Sequence, residues 1–124
     1  MARTAVTPAA GARNAGVAPT STTINSTLVT NGVTMAVQHP EKLVIRAANS
    51  DTNPHNLIIR AAPDVPGNSG AWMAGQGDLT IAVPASSTIQ LIGVDSARFM
   101  QSDGSFSLDF STGFTGTLET MTRP

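Results

Sequence analysis

The side chains best suited to chemistry in this sequence are its two histidines, His39 and His55. A zinc or similar metal site would need both of them together with carboxylates such as Asp51, because the chain offers no thiolate ligand. Each histidine instead stands beside a proline, in His39-Pro40 and Pro54-His55, and no ligand spacing joins them. We therefore interpret both as surface or loop residues, and we expect no metal ion and no other cofactor.

The residue pattern gives little support to catalysis. The chain has no cysteine and no Gly-x-Ser-x-Gly segment, so neither a thiolate nor a nucleophile elbow is available. The aspartates are scattered rather than alternating as in a calcium loop, and most adjoin turn-forming residues, where turn capping explains them. They are Asp51, Asp64, Asp78, Asp95, Asp103 and Asp109. We expect no catalytic residues and no enzymatic activity.

The charge distribution separates a basic N-terminal segment from an acidic remainder. The net charge is -1, only 12% of residues are charged, and no Asp or Glu precedes Glu41, whereas Arg3 and Arg13 lie in the first stretch. Seven basic residues, one tryptophan and no tyrosine are too few for a basic patch with stacking platforms, so we expect no nucleic acid partner. No long apolar run or signal-like segment occurs, so we expect neither a membrane span nor export by a recognisable signal.

The first 23 residues differ from the rest in composition. They are rich in Ala, Thr, Gly and Pro, show no usable periodicity, and contain Pro8 and Pro19, which oppose a continuous helix. Because free tails of this composition are extended or disordered, we predict an extended arm over residues 1–23 that is held by another protein subunit.

A second candidate contact lies in the Gly- and Pro-rich segment 63–77, which predicts a long loop. Its Trp72 ring either covers an open end of the fold or is presented to a partner, since aromatic and Met side chains are favoured in interface cores. The residues predicted to form a protein interface are Arg3, Val6, Arg13, Val17, Trp72 and Met73.

From residue 24 onward, short apolar runs alternate with Gly, Pro, Asn, Asp and Ser at intervals near ten residues. This spacing is typical of a β-sandwich or barrel. We predict an all-β, antiparallel, jelly-roll-like sandwich of about eight short strands over residues 24–124, without a helix, preceded by the arm.

Turn-forming residues suggest how the strands are connected. The dipeptide Asn31-Gly32 suits a type I′ turn and predicts a hairpin between residues 24–30 and 33–37. Loop-forming residues also join the runs 43–48 and 56–62, which we expect to be antiparallel neighbours.

Alternation of apolar and polar residues predicts which side chains face inward, most clearly over residues 105–110. Arg46 and Arg60 fall on the opposite face of their strands, which supports this register. The predicted core residues are Leu43, Ile45, Leu57, Ile59, Leu79, Ile81, Val83, Ile89, Leu91, Phe99, Phe106, Leu108, Phe110 and Leu118.

Two C-terminal segments combine several of these features in a fixed order. GQGDLTIAVPASST (75–88) contains a Gly-Asp-Leu-Thr strand and a Val-Pro-Ala turn, and DSARFMQSDGSFSLDFSTGFTGTL (95–118) ends in a Gly-x-Thr-Gly-Thr hairpin. This order resembles the head decoration, or cement, proteins of tailed bacteriophages, and the resemblance covers roughly residues 41–121. The N-terminal 23 residues are not part of it.

The resemblance implies an antiparallel sandwich attached to the outside of a capsid lattice, often as a small oligomer. The implied partners are the major capsid protein and sister copies of this chain, and the implied function is to stabilise the shell of the virion. Two alternatives remain open: another virion component, such as a head fibre base or tail protein, and a carbohydrate-binding β-sandwich module.

Overall fold

A computed structural model describes residues 3–37, 39–60, 78–94, 99–101 and 104–124. The predicted all-β sandwich is confirmed: the strands form two sheets of five whose inner faces share one apolar core. In chain order the strands are β1 Thr4–Ala5, β2 Ala9–Ala10, β3 Thr20–Ile24, β4 Val33–Ala36, β5 Leu43–Asn49, β6 His55–Ile59, β7 Leu79–Val83, β8 Thr88–Ile92, β9 Ser105–Phe110 and β10 Gly116–Thr122. A helix, α1 (Ser26–Asn31), and a 3₁₀ turn, Pro40–Lys42, complete the described elements.

The two sheets differ in how their strands are ordered. The first sheet has the order β1-β4-β9-β6-β7, and the second has the order β2-β10-β5-β8, with β3 also paired to β10. The two-residue strands β1 and β2 pair in parallel, whereas the longer strands pair antiparallel. The strands β7 and β8 lie at the edges of their sheets, and the short turn between them crosses from one sheet to the other.

The predicted hairpin at Asn31-Gly32 is wrong, because the residues before it form helix α1. The side chain of Asn25 caps this helix by accepting a hydrogen bond from the Leu28 N–H at 2.9 Å. Gly32 ends the helix at a φ of 75°, and its N–H donates to the Leu28 carbonyl at 2.7 Å. An Asn-Gly dipeptide serves a helix C-terminus as well as a turn, since both require a positive φ.

The predicted pairing of residues 43–48 with residues 56–62 is also wrong. Strand β5 lies in the second sheet between β10 and β8, and β6 lies in the first sheet between β9 and β7. The chain therefore passes from the second sheet to the first between β5 and β6. The buried Asn49 side chain stabilises this connection, because it donates to the Asn53 carbonyl at 2.9 Å and accepts from the Asp51 N–H at 3.0 Å. Strands that face each other across a core show the same alternation as neighbouring strands, so the pattern did not separate the two cases.

The N-terminal segment is bound by its own chain, and its expected contact with another protein subunit stays a prediction. Strand β1 pairs with β4, and β2 then pairs with the end of β10, so residues 4–10 cross from one sheet to the other. Backbone hydrogen bonds from Thr4 to Gly32 and from Val6 to Thr34 fix this crossing. The boundary predicted after residue 23 falls inside β3, which pairs with β10 over five residues. Sequence patterning missed these contacts because they use backbone groups.

The core matches the predicted inward faces. Ten of the fourteen predicted residues are buried, and Leu79, Ile81, Ile89 and Leu91 are partly buried against that core. Arg46 and Arg60 are exposed, as predicted. The structure adds nine buried apolar residues, most of them in or near α1 and β4: Val6, Ile24, Leu28, Val33, Met35, Val37, Ala47, Val94 and Phe114.

Replacing Leu108 with alanine should lower the free energy of unfolding by about 2 to 5 kcal/mol, because its buried side chain would leave a cavity between the sheets. Urea unfolding would measure the change. Thr23→Ala is the matched control, since Thr23 lies on the exposed face of β3 and its truncation should change stability little. Equal effects of the two substitutions would contradict the assigned faces.

Candidate protein interface

The structure places the predicted interface residues in different environments. Val6 is 6% exposed and belongs to the core, so its side chain is turned away from solvent. The guanidinium of Arg3 donates to Oδ1 of Asp109 at 2.6 Å and to the Leu108 carbonyl at 3.0 Å. Trp72 and Met73 lie outside the described residues. The hypothesis that these residues contact a partner stays a prediction.

Arg3 belongs to a chain of surface ion pairs along the first sheet. Asp109 lies between Arg3 and Arg60, whose Nε is 3.5 Å from Oδ2 of Asp109. Arg60 in turn lies 3.1 Å from Oδ2 of Asp78 at the start of β7. The charges of these residues are therefore matched within the chain, which leaves them little excess charge for binding an outside group.

Arg13 and Val17 lie instead on the segment 11–19, which connects β2 to β3 without pairing to either sheet. Arg13 is exposed and Val17 is partly exposed. Both ends of the segment are fixed, since β2 and β3 pair with β10 and the Gly11 N–H donates to the Thr122 carbonyl at 2.7 Å. The segment is thus a mostly exposed loop whose two ends are bonded to β10.

A groove of about 300 Å³ lies beside this loop, at the end of the sandwich where residues 4–10 cross between the sheets. Its walls come from the crossing segment, the end of β4, the residues before β5 and the end of β10. The lining residues are Thr7, Pro8, Ala10, Gly11, Ala36, Val37, His39, Lys42, Thr122 and Arg123. The groove combines small apolar side chains with three basic ones.

Strand pairing brings two of the basic residues of the groove together. The register places Thr122 opposite Leu43, and the Arg123 N–H donates to the Lys42 carbonyl at 2.7 Å. The guanidinium of Arg123 donates to the Glu41 carbonyl at 2.7 Å, a backbone group that carries no net charge. The Glu41 carboxylate itself lies 3.5 Å from the ring of His39.

Three cations at this end of the molecule have no ion pair among the described residues. They are Lys42 and Arg123 in the groove and Arg13, which follows the groove residue Gly11 by two positions. The other described arginines lie within 4 Å of a carboxylate. We call Arg13, Lys42 and Arg123 the basic end. Sequence reasoning identified Arg13 alone, because Lys42 and Arg123 meet only through the pairing of β5 with β10.

His55 has a structural role at the opposite end of β5. Its Nε2 lies 2.6 Å from Oδ2 of Asp51, and its ring packs on Phe114 at a centroid distance of 5.7 Å. Phe114 meets Phe110 edge to face at 5.3 Å. The hydrogen bond from His55 is the main reason that the pKa of Asp51 lies below its ordinary value of 3.8, and the N–H of Thr52 adds to this effect.

The remaining titratable groups that the structure describes lie apart from one another or in simple ion pairs. No group of three or more histidine and carboxylate residues that could hold a metal ion occurs in the part of the chain that the structure describes. His39 and His55 lie in separate places, the first at the groove and the second against the core.

A comparison with protein families finds no matching family model, and comparisons with curated proteins and with solved structures find no match. Among the described residues, no helix is long and apolar enough to cross a membrane.

The bond between His55 and Asp51 predicts a specific dependence of stability on pH. A carboxyl whose pKa is lower in the folded than in the unfolded chain stabilises the fold above the unfolded pKa, and this contribution is lost as the pH falls through the folded pKa. We therefore expect wild type to exceed Asp51→Asn in free energy of unfolding above pH 3.8, with the difference shrinking below it.

Denaturant unfolding over a pH series would measure this difference, with Glu41→Gln as the control at an exposed carboxyl. A difference between wild type and Asp51→Asn that stays constant as the pH falls well below 3.8 would show that the carboxylate gains nothing from His55.

Proposed function

We propose that this chain is a structural virion protein that binds the outer surface of a bacteriophage capsid and stabilises the shell as a decoration protein. The resemblance over residues 41–121 suggests the class of protein. The structural observation that carries the proposal is the basic end, where Lys42 and Arg123 line a groove and, like the nearby Arg13, form no ion pair within the described residues.

The basic end has the properties of a protein-binding surface. Lys42 and Arg123 are fixed at the ends of neighbouring strands, so their side chains begin from well-ordered positions. The buried Val37 and the partly buried Pro8 give the groove apolar surface between the charges. An acidic, partly apolar segment of the major capsid protein would match both the charge and the shape.

The fixed loop 11–19 extends this surface without a large entropic cost. A disordered arm loses conformational entropy when it binds, whereas a loop held at both ends by β10 has already lost much of it. In this proposal, a preorganised loop carrying Arg13 contacts the capsid in place of the extended arm predicted from composition. Repetition over a capsid lattice would multiply a modest affinity for each site.

Binding to particles that lack this protein tests the proposal. Replacing Lys42 and Arg123 together by glutamine should weaken binding about tenfold or more and reduce its dependence on salt, because the attraction to an acidic segment is lost. Arg46→Gln is the matched control: it removes a cation from the outer face of β5, beside Glu119, and should leave binding nearly unchanged.

Cosedimentation of the protein with the particles would measure binding, and circular dichroism would confirm that each variant is folded. Wild-type binding by the double variant would refute the role of the basic end. Absence of the protein from purified virions would refute the proposed function as a whole, and its presence on tails alone would move the function to the tail.

A further inference from the structure

Strand β8 is an edge strand whose outer side is unpaired within the described ranges. It pairs with β5 over Thr88–Ile92, and no described strand lies against its other side. Natural edge strands are usually protected by charged side chains, prolines or bulges, which prevent a further strand from pairing. The sequence of β8, Thr-Ile-Gln-Leu-Ile, has no charge and no proline.

The hydrogen bonds of β8 show which backbone groups remain open. The Gly93 N–H donates to the Leu43 carbonyl at 2.7 Å, and the Ser87 carbonyl accepts from the Asn49 N–H at 2.8 Å, so the odd-numbered residues face β5. Because the direction alternates along an antiparallel strand, the N–H and C=O groups of Thr88, Gln90 and Ile92 point away from the sheet. The outer edge thus offers three residues for pairing.

The outer face of β8 also carries an apolar anchor. Ile92 is 55% exposed and is the one large apolar side chain with this degree of exposure in the described part of the chain. The strand register places Ile92 beside Val44, and Val44 beside Met121, so the three residues form a row across the second sheet. The edge strands β7 and β3 present only Thr, Ala and Ser on their exposed faces.

From this edge we infer that two copies of the chain associate through antiparallel pairing of β8 with β8, with Gln90 on the two-fold axis. In this register Gln90 pairs with Gln90 of the second copy, and Thr88 pairs with Ile92 of the second copy. All three open residues of each copy then form hydrogen-bonded pairs, giving about six backbone hydrogen bonds.

The same register suits the side chains. On the inner face, Ile89 pairs with Leu91 of the second copy, and both are only partly buried in the single chain. On the outer face, Ile92 packs on a threonine, a favourable β-branched pair. Because β8 carries no charge, the two-fold axis brings no like charges together. The open backbone groups of Thr88, Gln90 and Ile92 are arranged symmetrically about Gln90, so a second copy of β8 can pair with all of them. This favours a second copy over an unrelated strand.

A charge-swap experiment at Gln90 tests both the association and its register. Sedimentation equilibrium should show a dimer for the wild-type chain. Gln90→Lys and Gln90→Glu should each raise the dimer dissociation constant about tenfold or more, because two like charges would meet on the axis. Mixing the two variants should restore a dimer containing one copy of each.

Thr23→Lys is the matched control, because it adds the same charge to the exposed face of β3 at the opposite edge of the second sheet and should leave the dimer intact. Circular dichroism would confirm that each variant is folded. A wild-type chain that stays monomeric up to millimolar concentration would overturn the inference. So would dimers that survive in both Gln90 variants, or variants that fail to pair when mixed.

Discussion

The two edges of β10 hold the molecule together. One edge of β10 pairs with β5 over seven residues. The other edge pairs with β3 and then with β2, so two strands from the N-terminal part of the chain lie along the C-terminal strand. Gly116 makes the start of this strand possible: its φ is 143°, and a side chain there would meet the Ala48 carbonyl. Without β10, both β2 and β3 would lose the strand with which they pair in the second sheet.

This pairing also determines the charge pattern of the surface. Because the N-terminal segment starts on the first sheet, Arg3 reaches Asp109 and is neutralised there. Because it then crosses to β10, the loop with Arg13 follows directly after the groove that contains Lys42 and Arg123. The basic N-terminal segment predicted from composition therefore has two parts. Arg3 pairs with Asp109 within the fold, whereas Arg13 is exposed to solvent.

The sequence predicted which side chains face the core, but it did not predict which strands pair with each other. Alternation identified Leu57 and Ile59 as inward, but burial gives the same pattern whether β6 lies beside β5 or opposite it. Asn25 and Gly32 could have indicated helix α1 through their capping preferences, yet six residues are too few to show a helical period. The groove was not predictable, because its residues come from segments that only tertiary pairing brings together.

The N-terminal segment is part of the folded single chain. Amide hydrogen exchange of the isolated protein tests it most directly, because the N–H groups of Thr4, Val6 and Gly11 donate to carbonyls of Gly32, Thr34 and Thr122. These three amides should be protected, while those of Arg13, Asn14 and Ala15 in the exposed loop should exchange quickly. Exchange of Thr4, Val6 and Gly11 at the rate of the loop would contradict the account.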